Sequence, residues 1–445
     1  MKRKLLPVKG LEARKAAWEV VQAVGAGAFA DVALERILNL YSFESVDKAL
    51  ITELSYGAIR HRYFLDCWIN LLGKVSAKKQ PPLLRWLLHL GLYQIFKMER
   101  IPPSAAIHTT VELAKTNHLL KLAPVVNGIL RSALRSKERG LLLPKSDNPG
   151  LELAQNESIP AWLADELIAW KGVEDAKNIA QAFNVISPID IRVNQLHAER
   201  KDVKEIFDSF GIKNQLIPGC PYGLEVPAGV GEPRKWPGYE EGKWSVQDRS
   251  SQLIAPLLGP LPGEKILDAC AAPGGKSTHI AELINNEGEI LSVDRSPRRS
   301  RKILANSERL GTNCLKLLVD DSNELLAHHP EWKGYFDRIL IDAPCSGLGT
   351  LARHPDARWR VNKDNIEELT AVQKQLLNSL TPLLKSGGKL VYSTCTIHPD
   401  ENCNQIKNFL QLNFEFLLEY EKQIWPGEED NGDGFYIAIL NKVKN

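Results

Sequence analysis

Apolar residues recur every three or four positions through residues 11–140, the spacing that lines them along one face of a helix. The pattern predicts helices over 13–24, 33–40, 48–72 and 83–98. Pro102-Pro103 punctuates it, Ser104 can cap a helix ending near Lys115, and a last helix is predicted over 124–137. Residues 138–160 turn polar and carry Pro144, Asn148-Pro149-Gly150 and Pro160, which reads as a linker. Helices over 162–170 and near 176–182, then a strand through Ile191-Arg192-Val193-Asn194, predict a small α+β subdomain reaching about residue 235.

From Trp244 onward the period changes. Short apolar runs at 265–269, 289–293, 314–319, 336–341 and 389–393 alternate with helical stretches such as 365–384, and late strands are predicted at 414–420 and 435–440. Such alternation builds a mostly parallel sheet with helices on both faces. The expected fold is multidomain: an all-α domain over 1–140, a linker and small α+β subdomain over 141–235, and an α/β, Rossmann-like domain over 236–445.

Open α/β sheets bind ligands beyond the carboxyl ends of their strands, and the chain concentrates its chemistry there. The strand at 265–269 runs into Cys270-Ala271-Ala272-Pro273-Gly274-Gly275-Lys276, and a helix then opens at Ser277. The glycines permit close backbone approach, and the N–H groups at the helix start can meet polar ligand atoms. The full G-x-G-x-x-G of a dinucleotide site is missing, so a smaller ligand carrying a ribose fits better. Asp294 ends the next strand, close to twenty residues after the glycines, and suits a pair of ribose hydroxyls. Asp320 and Asp342 end two further strands; we assign Asp320 to the base edge of the ligand and Asp342 to the reacting centre. A strand-end acid can instead cap a helix, but three in register along one edge are harder to account for that way.

Two cysteines follow adjacent predicted strands, Cys345 after a proline and Cys395 after a threonine. A buried cysteine is usually a small apolar filler. Sharing a crevice with a cofactor site favours a thiolate nucleophile instead. Methyl transfer to C5 of cytosine could use both. That carbon is too electron-poor to attack a methyl donor until a thiolate adds at C6, and a second acid–base group helps to remove the C5 proton afterwards.

Composition narrows the picture without redrawing it. The 445 residues are 44% hydrophobic and 25% charged, as in soluble globular proteins, and no apolar run is long enough to span a membrane. Met1-Lys2-Arg3-Lys4 lacks the apolar core of a signal peptide, and seven scattered cysteines suit reduced thiols, so a cytoplasmic location is expected. Cys395-x-x-His398 is half of a zinc pair with no second half, so no metal is expected. Residues 1–140 hold 22 Lys and Arg against 11 Asp and Glu, whereas the remainder is mildly acidic. A basic module joined to an acidic one has the electrostatic outline of a nucleic-acid-binding arm on an enzyme. Arg131, Arg135 and Arg139 share a helix face there, as a binding row or simply as a solvated one.

Residues 54–60 (Leu-Ser-Tyr-Gly-Ala-Ile-Arg), 101–107 (Ile-Pro-Pro-Ser-Ala-Ala-Ile) and 126–131 (Val-Asn-Gly-Ile-Leu-Arg) resemble the NusB-like helical RNA-binding domain. Residues 240–440 resemble the RNA (cytosine-5)-methyltransferase family. That resemblance is carried by 247–252, 268–276, Val293-Asp294, Asp342-Ala343-Pro344-Cys345-Ser346-Gly347, Arg353-His354-Pro355-Asp356, Ser393-Thr394-Cys395-Thr396 and Asp433-Gly434-Phe435-Tyr436. It implies S-adenosylmethionine as methyl donor, Cys395 as nucleophile and Cys345 as the cysteine assisting product release. Cys270, Ala271, Ala272, Pro273, Gly274, Gly275, Lys276, Asp294, Asp320 and Asp342 match cofactor-contacting positions. Asp342 and Lys276 could also meet the target base. Thr396 stands where a serine is common, and Asp320-Asp321 offers two acids where the family more often has one.

A NusB-like domain in front favours 16S ribosomal RNA, free or in an early assembly intermediate, over transfer RNA, and a monomer is expected. Methylation of an exocyclic amine typically uses an Asn or Asp-Pro-Pro-aromatic motif, and this chain has Asp342-Ala343-Pro344-Cys345 instead. A non-catalytic RNA-binding assembly factor would not need the glycine turn and both cysteines.

Overall fold

A computed structural model describes residues 10–428 and 432–444. The basic Met1-Lys2-Arg3-Lys4 therefore lies outside the described residues. The chain divides into two compact units, 1–185 with 354–360, and 186–353 with 361–445.

The first unit is helical. Its predicted helices appear as Leu11–Gly25, Ala30–Leu40, Pro82–Lys97, Pro103–Thr116 and Ala123–Glu138. The helix expected over 48–72 is two, Ser45–Arg60 and Arg62–Leu72, because His61 leaves helical geometry at φ −94° and ψ 18°. The stretch read as a linker contains another helix, Pro149–Glu157. Asn148-Pro149 looked like loop punctuation but is a helix start. The Asn148 side chain accepts the Leu151 N–H at 3.0 Å, and proline fills the first turn, where no N–H is needed.

Helices Ala161–Lys171 and Val173–Ala182 also belong to this unit, as does the strap His354–Arg360 from much later in the chain. Arg358 is fully buried and donates to the carbonyls of Phe183 (2.8 Å), Arg60 and Ser158 (3.2 Å each) and to Asn184 Oδ1 at 2.9 Å. Burial lowers its pKa to about 9. Trp359 donates its indole N–H to the Ile59 carbonyl at 2.7 Å.

The second unit holds two sheets. Strands β1 (Ile189–Val193), β2 (Gln215–Leu216), β3 (Gly223–Val226) and β4 (Trp244–Val246) form an antiparallel sheet in the order β2-β3-β1-β4. Pairing of β4 with β1 carries this sheet beyond residue 235. Its core is aromatic, with Phe207 edge-on to Trp244 at 5.7 Å and to Trp236 at 5.9 Å.

The larger sheet contains β5 (Lys265–Asp268), β6 (Glu289–Val293), β7 (Leu315–Leu318), β8 (Phe336–Asp342), β9 (Leu384–Thr394), β10 (Phe416–Ile424) and β11 (Phe435–Lys442). Their order is β10-β11-β9-β8-β5-β6-β7. The strands β5 to β9 run parallel, while β11 is antiparallel to both its neighbours. Chain direction across the sheet reverses between β5 and β8, the switch point where such sheets open a ligand crevice.

The two sheets are joined by a buried arginine. Arg192 on β1 donates to both carboxylate oxygens of Glu282 (3.0 and 2.5 Å), to Gly275 O at 2.8 Å, to Thr278 Oγ1 at 3.2 Å and, very closely, to Gln247 Oε1. Arg192 and Glu282 side chains are both fully shielded. Three of these acceptors lie on the helix Gly275–Leu283, which follows the glycine turn, so Arg192 fixes the angle at which that helix leaves the sheet.

We predict that Arg192→Met lowers the stability of this unit by about 3 kcal/mol, because Glu282 is left buried and uncompensated. Urea unfolding followed by tryptophan fluorescence measures this. The double variant Arg192→Met/Glu282→Leu should recover most of the loss.

Candidate active site

The parallel register brings the expected residues to one edge. β8 pairs with β9 so that Asp342 lies opposite Ser393, and the two loops leaving these strands carry Cys345 and Cys395. Their sulfurs are 3.3 Å apart. Asp342 accepts from Lys276 Nζ at 2.6 Å and from the Ser393 hydroxyl at 3.0 Å. The glycine turn, the end of β8 and the end of β9 thus meet in one hydrogen-bonded group.

Two glycines make this geometry possible. Gly274 has φ 100°, and a Cβ there would come within 3.2 Å of the Ile303 backbone. Gly349 donates its N–H to the Cys395 carbonyl at 3.0 Å and accepts from Gly434 N at 2.9 Å. A Cβ on Gly349 would lie 1.9 Å from the Gly434 oxygen, so only glycine allows the loop past Cys345 to lie against Cys395.

Around the turn, Ala271 and Ala272 are buried, Pro273 is exposed, and the Ala271 N–H is held by the Val293 carbonyl at 2.9 Å. Asp294 is buried at the end of β6 and accepts from Ala272 N at 3.3 Å and Ser296 N at 2.9 Å. Arg299 bridges to it at 3.4 Å and donates to the Ala272 carbonyl at 3.0 Å. Asp320 is turned instead to His328, 2.9 Å away, a bond that lowers the carboxyl pKa and raises that of the imidazole. Asp321 is exposed and caps a local turn through Asn323 N at 3.0 Å.

Electrostatics separate the groups further. Burial alone would depress Lys276, but the Asp342 carboxylate more than offsets it, and the ammonium stays above the usual lysine range. The Cys345 thiol is held well above the ordinary thiol range, first by its hydrogen bond to Cys395 and then by burial. Burial likewise raises Cys270, with Asp268, Asp342 and Asp294 adding to the effect. Asp268, fully buried at the end of β5, is pushed up to about 7 by burial, although Ser277 donates to it at 2.5 Å.

Sequence reasoning left several residues out. Asp268 and Arg192 stood inside the quoted motifs but carried no assigned role. Glu401, six residues past Cys395, is fully buried beneath both cysteine loops. Arg295, Arg298, Arg301 and Lys302 join Arg299, which the resemblance matches to a recurrent arginine without a role, in an exposed basic run with no acid among them, at the start of the helix Pro297–Leu310 beside Asp294. A local charge count would have found that run, because the mildly acidic total of residues 141–445 conceals it. Arg131 and Arg135 are exposed and hydrogen-bond to neighbours on their own helix, Asn127 and Ser132.

A parallel sheet with a glycine turn at its switch point and acids at successive strand ends has the architecture of a methyltransferase. The profile of the 16S rRNA methyltransferase RsmB/F family matches residues 255–441, that of the NusB family matches 11–135, and that of the RsmF/B-like ferredoxin-like domain matches 159–231. The chain is 38% identical to the probable ribosomal RNA small subunit methyltransferase B of Synechocystis, over 97% of this chain and all of that one. It is 39% identical to ribosomal RNA small subunit methyltransferase B of Escherichia coli, over 89% and 91% of the two chains. Among solved structures, PH0851 is similar over 99% of this chain and all of its own (TM-score 0.81, 26% identity). A methyltransferase homolog from Pyrococcus horikoshii covers 67% of this chain with all of its own (TM-score 0.59, 28% identity). The chain belongs to the ribosomal RNA small subunit methyltransferase B family, and it is an enzyme. Its fold comprises a NusB-like helical domain, a ferredoxin-like subdomain and a Rossmann-like methyltransferase domain.

The raised pKa of Asp268 has a defined consequence. Between about pH 4 and 7 the folded protein holds a proton that the unfolded chain has released, so stability falls as pH rises through that window. We predict that wild type loses stability relative to Asp268→Asn by about 1 kcal/mol per pH unit from pH 5 to 7. Parallel urea titrations at several pH values would measure the difference.

Proposed function

We propose that this enzyme methylates C5 of a cytidine in 16S ribosomal RNA, with S-adenosylmethionine as donor and Cys395 as nucleophile. The observation that carries the reading is the pair of sulfurs 3.3 Å apart beside the Lys276–Asp342 pair. The names of the Synechocystis and Escherichia coli relatives support ribosomal RNA of the small subunit as the substrate.

The acids at the strand ends suit a donor molecule rich in hydroxyl, amine and ammonium groups. The 270–276 turn would hold its polar atoms and Asp294 its ribose hydroxyls, while Asp320 would take its base edge in exchange for His328. When bound, that donor supplies the methyl group. Asp342, fixed by Lys276 and Ser393, orients the target cytosine at the reacting centre. The Cys395 thiolate adds to C6, and the displaced π electrons make C5 nucleophilic. After transfer the C5 proton leaves to a base, its bonding electrons re-form the C5–C6 double bond, and the C6–S bond breaks. Cys345 assists this last stage; in the free enzyme its sulfur lies 3.3 Å from that of Cys395.

RNA contact is assigned to the NusB-like domain and to the basic run at 295–302, whose exposed guanidinium groups suit phosphates. No helix among the described residues is long and apolar enough to cross a membrane.

We expect donor-dependent release of tritium from RNA labelled at cytosine C5; methyl transfer without release would point to an amine or ribose target and remove both cysteine roles. Cys395→Ala should abolish transfer with donor affinity nearly intact. Cys345→Ala should accumulate an RNA–protein adduct that survives denaturing electrophoresis. Arg298→Glu/Arg301→Glu should raise the KM for RNA and flatten its dependence on salt, leaving donor affinity unchanged. An unaltered salt slope would remove that helix from the RNA path.

A further inference from the structure

Glu401 closes the short turn Pro399–Glu401 and is fully buried. Its Oε1 accepts the Ser346 backbone N–H at 2.8 Å and the Gln373 amide at 3.1 Å. Its Oε2 accepts the Ser346 hydroxyl at 2.5 Å and the Thr396 hydroxyl at 3.1 Å. Ser346 directly follows Cys345, Thr396 directly follows Cys395, and their hydroxyl oxygens are 2.7 Å apart. One carboxylate therefore takes donors from the residue adjoining each cysteine.

The carboxylate is itself anchored from two sides. Tyr392 on β9 donates to the Glu401 carbonyl at 2.7 Å, and Gln373 also donates to the Pro344 carbonyl at 2.9 Å, one residue before Cys345. A buried carboxylate is tolerated only where its lone pairs are taken up, and here four neutral donors do so. Since a carboxylate only accepts, the two hydroxyls donate to it directly or one through the other, which fixes their rotors and the loops that carry them.

We propose that Glu401 is a positioning residue for methyl transfer, a clamp that sets the distance between the Cys345 and Cys395 sulfurs. The proposal rests on the cysteine roles given above. It assigns Glu401 no contact with RNA, donor or reacting atoms, and it also gives a use to the hydroxyl that Thr396 shares with the serine common at this position.

Glu401→Gln keeps the size of the side chain but replaces one acceptor oxygen with a donating NH2, which must face either the two hydroxyls that shared Oε2 or the Ser346 N–H and Gln373 amide that shared Oε1, so donors are opposed in either orientation. The expected result is a fall in single-turnover methyl transfer of about 10- to 100-fold, the scale set by small misplacements of reacting groups. KM for RNA and for donor should stay within about twofold. Thr396→Val should act in the same direction, whereas Thr396→Ser should transfer at the wild-type rate.

A second readout does not depend on activity. Diamide takes the two thiol hydrogens and leaves a Cys345–Cys395 disulfide, whose rate of formation in the full chain is followed by peptide mass. The rate should drop several-fold in Glu401→Gln and Thr396→Val and be unchanged in Thr396→Ser. A diamide rate in Glu401→Gln equal to or faster than wild type, with the thermal transition preserved, would overturn the clamp. So would full transfer activity in that variant. If Cys395→Ala still turns over, the proposed reaction itself fails, and the diamide rates tell that failure apart from a failure of the clamp.

Discussion

The parallel register of β5, β8 and β9 is the constraint on which the rest of the site depends. Asp268 pairs with Leu340 across β5 and β8, and Asp342 with Ser393 across β8 and β9, so β8 and β9 end within one residue of each other and β5 two residues short of β8. Side chains alternate faces along a strand, and a slip of one residue in β9 would turn Ser393 away from Asp342. The buried apolar residues of these strands pack between layers of helices and specify the register through hydrophobic burial. The chemistry at the edge is thereby held by a core that takes no part in it.

Arg192 extends that constraint to the smaller sheet. Its guanidinium spends four donor contacts on Glu282, Thr278 and Gly275, all on the helix that follows the glycine turn. Burial pushes the Glu282 carboxyl upward in pKa, and Arg192 counters the effect. The ferredoxin-like subdomain is therefore a support for the turn as well as a domain in its own right, and the β1 arginine is the residue that connects the two roles.

Much of this was legible in the residues. The parallel strands announced themselves as short apolar runs ending in Asp, Cys or small residues, because burial on both faces leaves little room for polar alternatives. Elements whose signal is a break in pattern were harder. The helical period runs through His61 without interruption, so the split between Ser45–Arg60 and Arg62–Leu72 left no mark. Asn148-Pro149-Gly150 is as good a helix start as a loop, and only the cap from Asn148 to Leu151 decides between them. The strap His354–Arg360 was recognisable as a motif, but its packing in the helical unit depends on partners about 170 to 330 residues away. Glu401 was invisible for a similar reason: a lone glutamate past Cys395 gives no sign that four donors converge on it.

Charge at the two sulfurs follows from competition for one cation. Lys276 responds to Asp342 first and to Cys395 second, and its short hydrogen bond is with the carboxylate. The ammonium is thus largely neutralised before it can stabilise a thiolate. Cys345 is the other neighbour of Cys395: the contact between the two sulfurs and burial both keep its thiol protonated. At 3.3 Å the Cys345 S–H is within reach to donate to the thiolate as it forms, as a weaker partner than a free ammonium. In the reaction proposed, that balance suits a nucleophile that must add to a weakly electrophilic C6 and later leave it. The spacing of the two sulfurs is then a chemical parameter, and the buried carboxylate beneath their loops controls it.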